Sequence, residues 1–177
     1  MAAADDFSPL VERVLELLCE GASGVMRPVL DELWRKSTGR HAAEDEAPST
    51  GELPTLTLEL TGLHDGSPID EAADRWRYAI GVEIHVTYLF GGGDSGEFPS
   101  AADRRSLSTR AHNHHLKIRG VLCHPNNLDT LDRDGASTGL ASGKLNVGAP
   151  ALSLSWRAQT LVAISYFTGI VDITPPT

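Results

Sequence analysis

Strict alternation of side chains over residues 78–90 constrains the fold more than any other feature of the sequence. Successive side chains of a β-strand point to opposite faces of the sheet. One row here is apolar and the other is mixed, so the run predicts a long strand with one face on the core and the other in more polar surroundings. The apolar row is Tyr78, Ile80, Val82, Ile84, Val86, Tyr88 and Phe90. The mixed row is Ala79, Gly81, Glu83, His85, Thr87 and Leu89.

Three shorter stretches also alternate and predict further strands. Residues 53–60 place leucines against threonines and a glutamate, which is typical of a half-buried strand. Residues 152–156 and 161–167 form a closing pair, and the second of these continues toward Ile173. Residues 157–160 predict the turn between them.

Helix signals open the chain. Ser8 can act as a cap and Pro9 is favoured at the first helical position. Gly21 is expected to end this helix. Its apolar face is Leu10, Val14, Leu17 and Leu18. A second, short helix is predicted to begin at Pro28.

A longer helix is predicted over residues 100–119. Ser100 and Asp103 resemble a capping box, with Asp in place of the usual Glu or Gln. Gly120 is expected to end the helix. The residues expected on its inner side are Leu107, Ala111, His114 or His115, and Ile118.

Together these elements predict an α+β fold in the order α(α)ββαββ. We expect a mostly antiparallel sheet of about four strands with the helices packed on one face. The chain of 177 residues is expected to form a single domain over residues 1–177, with an insertion at 28–51.

Two polar segments, residues 37–51 and 126–148, lack periodicity and predict surface loops. Loops of this length are usually functional or disordered. We therefore expect them to contact neighbouring subunits or proteins. Replacing residues 129–142 by a short linker is expected to leave the melting transition nearly unchanged.

The net charge of −9 and the pI near 5.1 argue against a nucleic-acid-binding protein, which would need a basic face. The nearest basic group, over residues 104–119, is interpreted as a solvated helix face. Cys19 and Cys123 are too few for a disulfide scaffold. We expect no membrane span and no signal peptide, hence a protein of the cytoplasm or one assembled there.

The most prominent candidate ligands are His112, His114, His115, Cys123 and His124. Imidazole and thiolate are good zinc ligands, but the spacing matches no established pattern and HExxH is absent. We therefore predict no metal site in the region from His112 to His124.

Other candidate groups are equally weak. His85 and Glu83 share the mixed row of the long strand, where a general base is conceivable but a solvated or interface pair is favoured. Asp129, Asp132 and Asp134 do not meet the D-x-[DN]-x-[DN]-G pattern of a calcium loop, and no Glu follows. The serine-containing loops match neither GxSxG nor a phosphate-binding loop. The sequence thus predicts no catalytic, cofactor-binding or metal-ligating residues.

The order of elements resembles the tail-terminator family of long-tailed bacteriophages and the related cap proteins of contractile injection systems. The corresponding features are an opening amphipathic helix (10–18), a strand (56–60), a long alternating strand (78–90) preceded by Arg75, Trp76 and Arg77, a helix (100–119), a glycine-rich loop (138–143) and two closing strands (152–156 and 161–167).

This resemblance implies a structural protein of the virion, not an enzyme. Such proteins form hexameric rings that stop tail polymerisation and join the tail tube to neck or head proteins. An acidic ring would also let DNA pass without trapping it. The alternatives are another head–tail connector or tail-completion protein, a small hydrolase or metalloenzyme using the region from His112 to His124, and a cellular binding module.

Overall fold

The computed structural model describes residues 6–20, 55–62, 66–69, 75–89, 99–124, 127–128, 137–157 and 159–174. Within these ranges the protein has the predicted α+β fold, with two α-helices and a five-stranded sheet. The elements are α1 (Ser8–Leu15, continued by a π-helical turn, Glu16–Glu20), β1 (Thr55–Thr61), β2 (Ser67–Pro68), β3 (Trp76–Leu89), α2 (Ala101–Leu122), β4 (Asn146–Trp156) and β5 (Thr160–Ile173).

The sheet is built around its two longest strands, β3 and β5, of 14 residues each. They pair antiparallel along their full length, from Trp76 opposite Ile173 to Leu89 opposite Thr160. Strand order is β1-β3-β5-β4, every pair is antiparallel, and the short β2 pairs with the start of β3. The predicted sheet of about four strands is confirmed, with β2 as the addition.

Burial along β3 confirms the one-sided strand. Ile80, Val82, Ile84, Val86 and Tyr88 are buried, whereas the opposite row is half-buried or exposed. The inward rows of both long strands belong to the same apolar core as the inner sides of α1 and α2. The helices therefore cover one face of the sheet and leave the other, the outer sheet face, without a helical layer in the described residues.

The predicted capping box at the start of α2 is confirmed. The Asp103 N–H donates to Ser100 Oγ at 3.2 Å, and the Ser100 N–H donates to Asp103 Oδ2 at 3.2 Å. The predicted end at Gly120 is wrong, because the helix continues to Leu122. Val121 and Leu122 are buried, and their burial offsets the cost of about 1 kcal/mol for a glycine within a helix.

The start of α1 also differs in detail from the prediction. Ser8 is already helical, and Phe7 occupies the cap position without a side-chain hydrogen bond. The carboxylate of Asp6 accepts the Ser8 N–H at 2.8 Å instead. A carboxylate near a helix N-terminus satisfies an exposed donor and interacts favourably with the helix dipole.

The segment between α2 and β4 is not the surface excursion that its composition predicts. In its described part, Leu128, Leu140 and Leu145 are buried in the core, and β4 begins at Asn146 instead of at residue 152. The Ala141 N–H donates to the Ile170 carbonyl at 2.8 Å, so backbone bonds fasten the segment to β5. The prediction of a surface loop is therefore wrong for residues 137–145.

Polar contacts also join this segment to the first helix. Arg13 is buried, and its Nε donates to the Asn127 carbonyl at 3.2 Å. The Asn127 amide in turn donates to the Val121 carbonyl at 2.9 Å. Because buried polar groups are costly without partners, these bonds fix α1 against the end of α2.

Several predictions concern residues outside the described ranges: the short helix from Pro28, the insertion at 28–51, the loop at 37–51, and the aspartates at 129, 132 and 134. Among the described helices, none is both long and apolar enough to cross a membrane.

Candidate functional site on the outer sheet face

The structure places two of the candidate histidines in the core. His114 Nδ1 is hydrogen-bonded to the Tyr88 hydroxyl at 2.7 Å, and His115 Nδ1 to Ser165 Oγ at 3.0 Å. Their rings stack on those of Tyr88 and Phe167, respectively. Burial raises the pKa of Tyr88, so its hydroxyl stays protonated. These contacts are typical of packed polar groups between a helix and a sheet.

The other three candidates lie in different surroundings. His112 is exposed and donates from Nδ1 to the Ser108 carbonyl of its own helix at 2.7 Å. Cys123 is half-buried at the end of α2, and burial raises the pKa of its thiol. A protonated thiol is a poor nucleophile and a poor metal ligand. His124 lies beyond the helix and is exposed.

The structure instead brings together Glu59 of β1 and Glu83 and His85 of β3. Glu59 lies directly opposite Glu83 in the register, and His85 is two residues further along the same row. His85 Nε2 is 2.9 Å from Glu83 Oε2 and 3.9 Å from Glu59 Oε2. Their three potential ligand atoms lie within 4.8 Å of one another. We call these three residues the Glu–Glu–His cluster.

The cluster lies on the outer sheet face, away from the helices, and its members differ in exposure. The side chains of His85 and Glu83 are 18% and 21% exposed, whereas that of Glu59 is 52% exposed. On β5, Ile164 lies opposite His85 and Tyr166 opposite Glu83, and both are half-buried. The cluster is therefore partly shielded on the β5 side and open to solvent on the β1 side. Two carboxylates and an imidazole can hold a cation or exchange a proton there.

Sequence reasoning identified only part of this cluster. The alternation of β3 places Glu83 and His85 in one row, and their pairing was predicted as a solvated or interface pair. Glu59 was missed because its approach to them depends on the β1–β3 register. That register depends on the patterns of both strands and on the geometry of the connection between them.

A second feature lies on the opposite side of the molecule, where α2 presents a basic surface. Within its 22 residues α2 has five basic side chains, all exposed, and a single acidic one, Asp103. The net charge of α2 is thus +4, whereas the net charge of the whole chain is −9. The five, which we call the basic helix face, are Arg104, Arg105, Arg110, Lys117 and Arg119.

Comparison with known proteins gives no family assignment: no family model matches the chain, and no curated protein is significantly similar to it.

Buried His115 leads to a prediction about pH. Burial lowers the pKa of His115, and the charges of Arg119 and His112 lower it further. The unfolded chain therefore binds a proton at this residue more readily than the folded chain. As the pH falls through the ordinary histidine value of about 6.5, the free energy of unfolding should decrease, and this loss should level off once folded His115 is protonated.

Urea denaturation between about pH 7.5 and 5 measures this effect. His115→Gln should show a flatter dependence than the natural sequence over that window. Leu116→Ala changes an exposed residue that does not titrate and should retain the original slope. An unchanged slope in His115→Gln would contradict the prediction.

Proposed function

We propose that this chain is the subunit of a hexameric ring that terminates a phage-like tail tube and joins it to neck or head proteins. The observation that carries the proposal is the order of the elements, which apart from the short β2 is α–β–β–α–β–β, folded into one antiparallel sheet with both helices on the same face. That is the arrangement implied by the resemblance to tail terminators. The protein would then be a stoichiometric component of the virion, assembled in the host cytoplasm.

The separation of charge supports assembly into a ring. A ring requires unlike patches on one subunit that meet in a head-to-tail contact and close by rotation. The basic helix face has a net charge of +4, whereas the whole chain is at −9, so the rest of the subunit is strongly acidic. In this proposal the basic helix face of one copy docks on an acidic surface of the next. Complementary charge of this kind fixes the register of partners.

The negative charge of the rest of the subunit is also compatible with a channel through which DNA passes. A lumen with few basic side chains would not retain a polyanion, so DNA would pass without sequence-specific binding. The other partners in the proposal are the tail tube protein at one end of the ring and a neck or head-completion protein at the other.

Native mass spectrometry and negative-stain imaging of the purified full chain test the ring. We expect closed rings of six subunits at low salt, and their dissociation in about 1 M salt, where the Debye length is about 3 Å. Arg105→Glu reverses one charge on the basic helix face and should weaken association at least about tenfold, because a like-charge contact replaces an attractive one. A monomer at all concentrations would contradict the proposal.

Arg157→Glu is the control, because it reverses an exposed arginine of the turn between β4 and β5 that does not belong to the basic helix face. It should leave the rings intact. If both variants behave alike, the rings do not use the basic helix face. The tail role has its own readout: particles assembled without the protein should have tails of uncontrolled length, and tails of normal length would contradict it.

A further inference from the structure

We propose that the Glu–Glu–His cluster binds one divalent transition-metal ion, with zinc as the best match. Three potential ligands come from two neighbouring strands on the outer sheet face, and their donor atoms already converge within 4.8 Å. This site does not depend on the proposed ring, since all of its ligands come from one chain.

The distances allow a tetrahedral ion after small side-chain shifts, in place of the hydrogen bond that His85 Nε2 now makes with Glu83 Oε2. Zinc–nitrogen and zinc–oxygen bonds of about 2.0–2.2 Å place neighbouring ligand atoms about 3.4 Å apart. The observed separations from His85 Nε2 are 2.9 Å to Glu83 and 3.9 Å to Glu59, one on each side of that value. Side-chain shifts on the order of 1 Å would therefore accommodate the ion. The backbone positions are already set by the β1–β3 ladder.

Electrostatics favours a cation at this position. Glu59 and Glu83 lie directly opposite each other, and like charges in such cross-strand pairs are destabilising. Glu83 and His85 are largely shielded from water, so a charge placed between them is screened less than on an open surface. A divalent ion would balance both carboxylates and remove their repulsion.

The donor chemistry selects among metals. Magnesium and calcium prefer sites made of oxygen ligands alone, whereas imidazole nitrogen suits zinc and its neighbours in the transition series. Three protein ligands leave a fourth position, which a water or a group from another molecule can take. The half-exposed Glu59 lies on the open side of the site. Bound zinc would also fasten edge strand β1 to β3.

Titration of the full chain, stripped with a chelator, tests this site. Zinc chloride should bind at one equivalent by calorimetry, and magnesium chloride at the same concentration should not. Cobalt chloride should give the visible absorption of a low-coordinate site. Zinc in hundredfold excess over its Kd should raise the Tm by about 5–10 °C, because binding to the folded state alone stabilises it.

Variants identify the ligands. Glu83→Gln and His85→Gln keep side-chain size, or nearly so, and each should weaken zinc binding at least about tenfold. Glu59→Gln is a third variant, and it should have little effect on stability because Glu59 is the most exposed of the three residues. His112→Gln changes an exposed histidine of α2 and should bind as the natural sequence does. Circular dichroism confirms that each variant is folded.

Two results would overturn the proposal. One is the absence of zinc binding at about 100 µM, where a site with a Kd of about 1 µM would be almost fully occupied. The other is binding that survives in both Glu83→Gln and His85→Gln. Binding that is lost in His115→Ala but retained in those two variants would place the metal in the region from His112 to His124, contrary to the proposal.

Discussion

Ile84→Ala is expected to lower the free energy of unfolding by about 2–4 kcal/mol. Ile84 is fully buried near the middle of β3, between Leu58 of β1 and Ser165 of β5 in the register. Removing its side chain beyond Cβ takes apolar atoms out of the core and leaves a cavity under the helices. Both effects add to the cost. Urea denaturation with an unchanged m-value would measure it.

Thr87→Ala is the control on the opposite row of the same strand. Thr87 is only half-buried on the outer sheet face, so its truncation should cost well under half as much. Equal costs for the two variants would mean that both faces of β3 are covered in solution. That result would contradict a sheet with helices on one face.

Leu140→Ala is expected to lower the free energy of unfolding by about 2–4 kcal/mol. A substitution in the surface loop that composition predicted would have had almost no effect on stability. Leu140 and Leu145 pack over Gly169 of β5 so closely that a Cβ added there would lie 3.0 Å from Leu140 Cδ1 and 2.6 Å from Leu145 Cδ2. Little room exists for the surroundings to collapse into the cavity. For the same reason, replacing residues 129–142 by a short linker should destabilise the isolated chain.

Leu116→Ala makes the same chemical change at a side chain of α2 that is 58% exposed. It should cost less than about 0.5 kcal/mol, since surface substitutions rarely cost more. Thermal and urea denaturation of the two variants side by side would separate them clearly. Similar costs would place Leu140 outside the core and support the original interpretation of the segment as a surface loop.

Features encoded by neighbouring residues could be predicted from the sequence. The alternation of β3 and the pair formed by Ser100 and Asp103 each depend on residues a few positions apart. The extension of α2 past Gly120 could not, because it depends on a core that buries Val121 and Leu122. Intrinsic propensity is a weak prior when tertiary contacts oppose it.

The same distinction explains the segment after α2 and the candidate site. The segment after α2 is polar and rich in glycine, so its composition predicted a loop. The buried leucines at 128, 140 and 145 could not be recognised, because they are spaced too irregularly for any periodic pattern. The approach of Glu59 to Glu83 and His85 depends on how two strands align. The alignment of strands with each other is the feature that a single sequence predicts least well.

The pairing of β3 with β5 has a consequence for the order of events during synthesis. β3 ends at Leu89 and β5 begins at Thr160, so a ribosome adding about 5–20 residues per second completes β3 several seconds before β5 begins to appear. Hairpins close within about 1–10 µs, so β1 and β3 can pair long before their neighbour exists. β4 and β5, joined by a tight turn, then add as a second hairpin. Until they do, the nascent chain exposes the β5-facing edge of β3, and α2 is the next described element available to shield its apolar row.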